Sequence, residues 1–117
     1  MKADDIENRT SRKITAFEKL KDGWCDKGIA FDLITLSTAK YLHLEVLKAG
    51  FEKTDAFPGN DGSVSIVIYG NKFFFEFRIH KTAKIDYLLE DNEECVDMTL
   101  TQASDKIKEL ALKCNEN

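Results

Sequence analysis

Two β-rich runs on either side of Gly70-Asn71 constrain this chain more than any other feature. Ser63-Val-Ser-Ile-Val-Ile-Tyr69 leads in, and Lys72-Phe-Phe-Phe-Glu-Phe-Arg-Ile-His80 leads out. A Gly-Asn pair between such runs predicts a two-residue type I′ or II′ hairpin turn. That turn sets Tyr69 opposite Lys72, Ile68 opposite Phe73, Ile66 opposite Phe75 and Val64 opposite Phe77. The last three pairs are large and apolar, so turn chemistry and alternation name the same core face. The opposite face then carries Val67, Tyr69, Lys72, Phe74, Glu76, Arg78 and His80.

The flanking segments supply what such a hairpin needs for burial. A first helix is expected over about residues 4–21, with Ile6, Ile14, Phe17 and Leu20 as its stripe and Ala3 and Thr10 extending it. Asp4, Asp5 and Glu7 suit its start, although Thr10 or Ser11 is an alternative beginning. A Gly-Trp loop follows over about 22–34. A second helix is expected over about 36–49, with Thr35 as N-cap, Leu36, Ala39, His43, Val46 and Leu47 inward, and Gly50-Phe51 in a Schellman ending. Pro58-Gly-Asn-Asp-Gly62 is a turn into the first strand. Strands are expected over about 63–69, 72–80, 84–90 and 95–100. Lys81-Thr82-Ala83 fits a three-residue connection that keeps Ile79 opposite Ile85, with Ala83 where glycine is preferred. Val96, Met98 and Leu100 alternate in the last strand. A final helix over about 102–113, capped by Thr99 or Thr101, closes the chain. The expected architecture is α+β, in the order α-α-β-β-β-β-α. It is a single domain over 1–117, an antiparallel meander with one face packed by three helices.

Composition bounds function. The 117 residues are 43% apolar and 32% charged, with a formal charge of −4. That acidity speaks against nucleic acid as a partner, because phosphate neutralisation needs a basic face. No apolar run reaches membrane-span length and the N-terminus has no signal-peptide core, so no membrane is expected and the default location is cytoplasmic. Cys25, Cys95 and Cys114 are odd in number and contain no Cys-x-x-Cys, which favours free thiols over one disulfide. The acidic stretch Asp86, Glu90, Asp91, Glu93, Glu94 and Asp97 is a solvated turn or a surface that docks on a basic protein.

Chemistry-bearing motifs are scarce. There is no Walker A segment, no Gly-x-Gly-x-x-Gly, no His-Glu-x-x-His and no calcium-loop spacing. His43-Leu-Glu45 has the His-x-Glu form of zinc deaminases, but the Pro-Cys-x-x-Cys element is absent, and His43 lies in an apolar helical stripe. His80 ends a strand on the outer face. A Cys25–His80 pair is the one nucleophile–base combination the sequence offers, without a local motif behind it. No catalytic residue, no cofactor and no metal is assigned. Trp24, between Gly23 and Gly28, is a plug at the core edge or a binding hot spot.

The outer sheet face supplies one positive clue. Arg78 should meet Asp86 across the strands, worth roughly 0.2–1 kcal/mol, and Val67, Tyr69, Phe74 and Leu88 should form an apolar patch. Such a patch spans on the order of a few hundred Å². A stable partner buries about 800 Å² per side, so the patch is the centre of an interface and not its whole. Either the segment after Gly50, with Phe51 and Phe57, covers it, or a partner does.

Leu20-Lys-Asp-Gly-Trp24, Gly28, the helix, Pro58 and Asp61-Gly-Ser-Val-Ser-Ile66 together resemble a family of small uncharacterised bacterial and phage proteins. The family shares a Leu-x-x-Gly-Trp-Asp-Gly-x-Gly-Ala loop, a helix and a Pro-x-x-Asp-Gly-Gly turn into a strand. The likeness spans about residues 17 to 90. Cys25 stands at the usual aspartate, Phe31 at a typical proline and Gly62-Ser63 at Gly-Gly. The resemblance carries no activity; it implies an accessory role in mobile elements, such as antitoxin, anti-defence protein or inhibitor. The expectation is a non-catalytic module that occludes another protein through Trp24, Val67, Tyr69, Lys72, Phe74, Arg78 and Leu88. The alternatives are a homodimeric chaperone-like adaptor that pairs through the outer sheet face, and a small hydrolase using Cys25 and His80.

Overall fold

A computed structural model describes residues 9–115 of the chain. Helix α1 (Arg9–Ala16) ends in one 3-10 turn (Phe17–Lys19), and after the Trp24 loop comes α2 (Leu33–Lys48). Five strands follow: β1 (Thr54–Pro58), β2 (Val64–Tyr69), β3 (Phe74–Ile79), β4 (Ile85–Leu89) and β5 (Asn92–Met98). Helix α3 (Leu100–Asn115) is last. The strands form one antiparallel sheet in chain order, so the α+β meander packed by helices is as expected, with one strand more. The Ala3, Asp4, Asp5, Ile6 and Glu7 part of the first-helix expectation lies outside the described residues.

Periodicity explains the layers. Val64, Ile66 and Ile68 of β2 and Phe75, Phe77 and Ile79 of β3 are sealed from solvent, as alternation required. They meet Ile14 and Phe17 from α1 and its 3-10 turn, Leu36, Ala39, Leu42 and Val46 from α2, and Ala103, Ile107 and Leu110 from α3. Phe75 is central: its ring lies edge-on to Phe51 at 5.3 Å and to Phe77 at 5.9 Å. The described helices all contribute to this one side.

The hairpin register differs from expectation by two residues. Tyr69 pairs with Phe74, Ile68 with Phe75, Ile66 with Phe77 and Val64 with Ile79. Gly70-Asn71 does not turn alone. The connection is Gly70-Asn71-Lys72-Phe73, closed by the Gly70 N–H donating to the Phe73 carbonyl at 2.8 Å. Lys72 therefore sits in the turn and not opposite Tyr69. A shift of two preserves the faces, because side chains alternate with period two. Phe73 leaves the strand and packs at the core edge beside Phe75.

The β3–β4 connection is the three-residue loop expected. Ala83 takes the left-handed conformation (φ 65°), its N–H donates to the His80 carbonyl, and Ile79 pairs with Ile85. The α2 ending is also as read: Phe51 N–H reaches Val46 O, Gly50 N–H reaches Leu47 O, and Gly50 has φ 104°. At α3, Thr99 and Gln102 form a reciprocal capping box, each side chain accepting from the other's N–H.

Three expectations need correction. Thr35 does not cap α2; the cap is Asp32, and Thr35 is buried inside the helix with its hydroxyl donating to the Lys81 carbonyl. Val96 does not alternate inward. Register breaks within β5 and the positive φ of Asp97 swing it into solvent, and Leu100 begins α3 instead of ending a strand. The segment after Gly50 does not fold over the outer sheet face. It becomes β1, with Phe51 turned into the core.

Candidate partner-binding face

The outer face is built by the same alternation that fills the core. Outward positions are Asp55 and Phe57 on β1, Ser65, Val67 and Tyr69 on β2, Phe74, Glu76 and Arg78 on β3, and Asp86 and Leu88 on β4. Val67 pairs with Glu76 and Tyr69 with Phe74, so the apolar side chains adjoin along β2 and β3. Phe57 and Tyr69 are 45% and 46% exposed, and Val67 and Phe74 are half-buried. Among the described residues no helix packs on this side.

The structure distributes the sequence-predicted patch unevenly. Val67, Tyr69 and Phe74 lie together as expected. Leu88 faces the same way but is only 7% exposed, so it presents little surface. Lys72 stands beyond the strand end, in the turn. Arg78 is in register with Asp86, yet its guanidinium donates to Glu76 at 3.1 Å. Trp24 belongs elsewhere. Its indole N–H donates to the Ile29 carbonyl at 2.8 Å and its ring stacks on Phe31, which in turn stacks on Phe17.

Phe57, Asp55 and Lys13 were not legible as part of this face. Lys13 reaches over the sheet edge from α1, pairs with Asp55 at 2.9 Å and lies 4.6 Å above the Phe57 ring. Burial raises the Asp55 carboxyl, but the Lys13 hydrogen bond, the Ala56 N–H and the Lys13 and Arg9 charges hold it below the usual range. The available signal was the alternation of Thr54 and Ala56 inward with Asp55 and Phe57 outward.

One polar cluster borders the patch. His80 Nε2 donates to Asp86 Oδ2 at 2.6 Å, and the Asp97 N–H donates to Asp86 Oδ1. Asp86 is buried, which raises its pKa, but these two bonds and the His80 and Arg78 charges keep the carboxyl below its ordinary value. His80 is thus a fixed strand-end residue and not a freely solvated one. Cys25 is exposed in the Trp24 loop and makes no bond to His80. Across β5 and its turn, Glu90, Asp91, Glu93, Glu94 and Asp97 are all exposed, with Lys84 near Asp97 at 4.0 Å. No group of three or more His, Cys, Asp or Glu among the described residues has a metal-binding arrangement, and no described helix is long and apolar enough to cross a membrane.

Compared with known proteins, the chain matches no family model, no curated protein and no solved structure at a significant level.

Proposed function

We propose that this chain is a non-catalytic protein-binding module that occludes its partner through the open face of its sheet. The observation that carries the reading is the exposure of Phe57 and Tyr69 beside Val67 and Phe74, on a sheet whose described helices all pack on the other side. Aromatic side chains supply contact area at small entropic cost and are enriched at interface centres. The flanking acids on β5 favour a partner whose rim is basic. The resemblance of the Trp24 loop region to small bacterial and phage proteins supports an accessory role in a mobile element, inside the cytoplasm. A second copy of the chain is the alternative occupant, as in a homodimeric adaptor.

The experiment is native purification of the tagged chain beside its Phe74→Asp variant. The variant should lose its bound protein and keep its circular dichroism spectrum. Retention of the partner by a folded variant would place the interface elsewhere.

A hydrolytic reading has one observation in its favour, the imidazole of His80 oriented by the buried Asp86 carboxylate. Fast thiol labelling of Cys25, together with loss of a hydrolytic activity in His80→Ala, would support it over the binding reading.

A further inference from the structure

We propose that His43 is an acid-operated latch: protonating its ring releases α1 from the fold while the sheet stays formed. The inference rests on the buried seam between α1, α2 and β1, independently of the docking face.

His43 is wholly buried on the inner side of α2 and touches hydroxyls from two other elements. Its Nδ1 lies 3.1 Å from Ser11 Oγ on α1, and its Nε2 lies 2.8 Å from Thr54 Oγ1 on β1. The hydroxyl contacts favour one tautomer. Thr10 Oγ1 donates to the Thr54 carbonyl, and Thr54 Oγ1 donates its only proton to Thr10 Oγ1. Thr54 can then only accept from the ring, so Nε2 carries the proton and Nδ1 accepts from Ser11. An added proton must go to Nδ1, at the α1 contact itself. It turns the acceptor of the Ser11 bond into a donor and places a charge in the seam.

Among the described residues, none compensates that charge by a hydrogen bond to the ring. From α1 come Arg9, Arg12 and Lys13, from β1 Lys53 and Asp55, from α2 Lys40, Glu45 and Lys48, and from the 3-10 turn Glu18 and Lys19. No charged group hydrogen-bonds to the ring, and Lys13 and Asp55 are engaged with each other. The inner faces of β2 and β3 bring only apolar side chains. Burial accordingly lowers the His43 pKa from 6.5 to about 4. Below about pH 6.5 an opened form binds the proton more tightly than the closed form, so acid favours opening. The limit set by the two pKa values is about 300-fold in the opening equilibrium. Helix α1 is the element to leave because the ring nitrogen that takes the proton faces Ser11 on it, and α1 contributes no strand to the ladder.

Residue-resolved amide exchange on the full chain from about pH 7 to about pH 4, corrected for intrinsic exchange rates, tests this. Protection of the α1 amides should fall by about 100-fold over this window, while the Phe75 and Phe77 amides hold. His43→Gln should abolish the pH dependence, and Asp55→Asn should leave it intact. Equal loss in α1 and β3, a pH-independent α1, or an unchanged profile in a folded His43→Gln would each overturn the latch. If His43→Gln does not fold, NMR titration of the wild-type ring decides: charging together with α1 release supports the latch, and a ring still neutral when α1 has left overturns it.

Discussion

Single residues in this fold act through space that is either filled or denied. Gly28 is the clearest case. A Cβ there would fall inside the Trp24 indole, whose ring is held by the Ile29 carbonyl and by Phe31. Gly28→Ala should therefore expel the indole and cost about 1–3 kcal/mol by the measure of other overpacked sites. Urea unfolding followed by the emission of the single tryptophan would record both the loss and the red shift of exposure. Ala83 is the opposite case, a residue with a Cβ where the backbone asks for none. Its φ of 65° is costly for alanine. Ala83→Gly should raise stability by about 0.5–1 kcal/mol despite the freer unfolded chain, read as a higher urea midpoint with unchanged slope. Ala83 was recognisable in sequence because the Ile79–Ile85 pairing demanded an odd loop. Gly28 was visible only as punctuation, since no local pattern tells that an aromatic four residues earlier lies on it.

At the scale of elements, legibility followed the strength of the alternation. β2 and β3 could be assigned to their faces because every inward position is bulky and apolar. Their register could not, because a two-residue and a four-residue connection give the same faces. β1 escaped notice because Thr54-Asp-Ala-Phe-Pro58 lacks β-branched inward residues other than Thr54 and ends in proline, which only an edge strand tolerates. Helix α2 begins three residues before Leu36 because Leu33 and Ile34, 70% and 68% exposed, are apolar without belonging to the buried stripe. The caps were readable where chemistry is specific. Thr99→Ala should cost about 1 kcal/mol through loss of the capping box, measurable as a lower thermal midpoint, and Thr101→Ala should cost much less. The far edge is designed against strand addition. β5 is acidic and carries register breaks, and its entry turn holds Glu90 and Asp91 at positive φ. Replacing the pair with Asn-Gly should stabilise the turn by about 0.5–1 kcal/mol, without altering which strands pair.

For the molecule as a whole, the arrangement is a sheet whose described helices all pack on one side. The packed side is where stability resides. Phe75→Ala, at the meeting point of Phe51, Phe73, Phe77 and Tyr87, should cost about 3–5 kcal/mol and destabilise all strands together. The side without a described helix is where the proposed interaction would reside. Its core residues could be named from alternation, yet its extent could not, because Phe57, Asp55 and Lys13 join it only once β1 is known to be a strand. Trp24, grouped with it on residue type, is held within its own loop.

Oxidative footprinting of the chain, free and bound to the protein that copurifies with it, tests the central claim most directly. Binding should protect Tyr69, Phe57 and Phe74, while Leu33, Ile34 and Tyr41 on α2 and Leu112 on α3 react as before. Protection of the helical residues with Tyr69 and Phe57 still reactive would contradict a docking role for the open sheet.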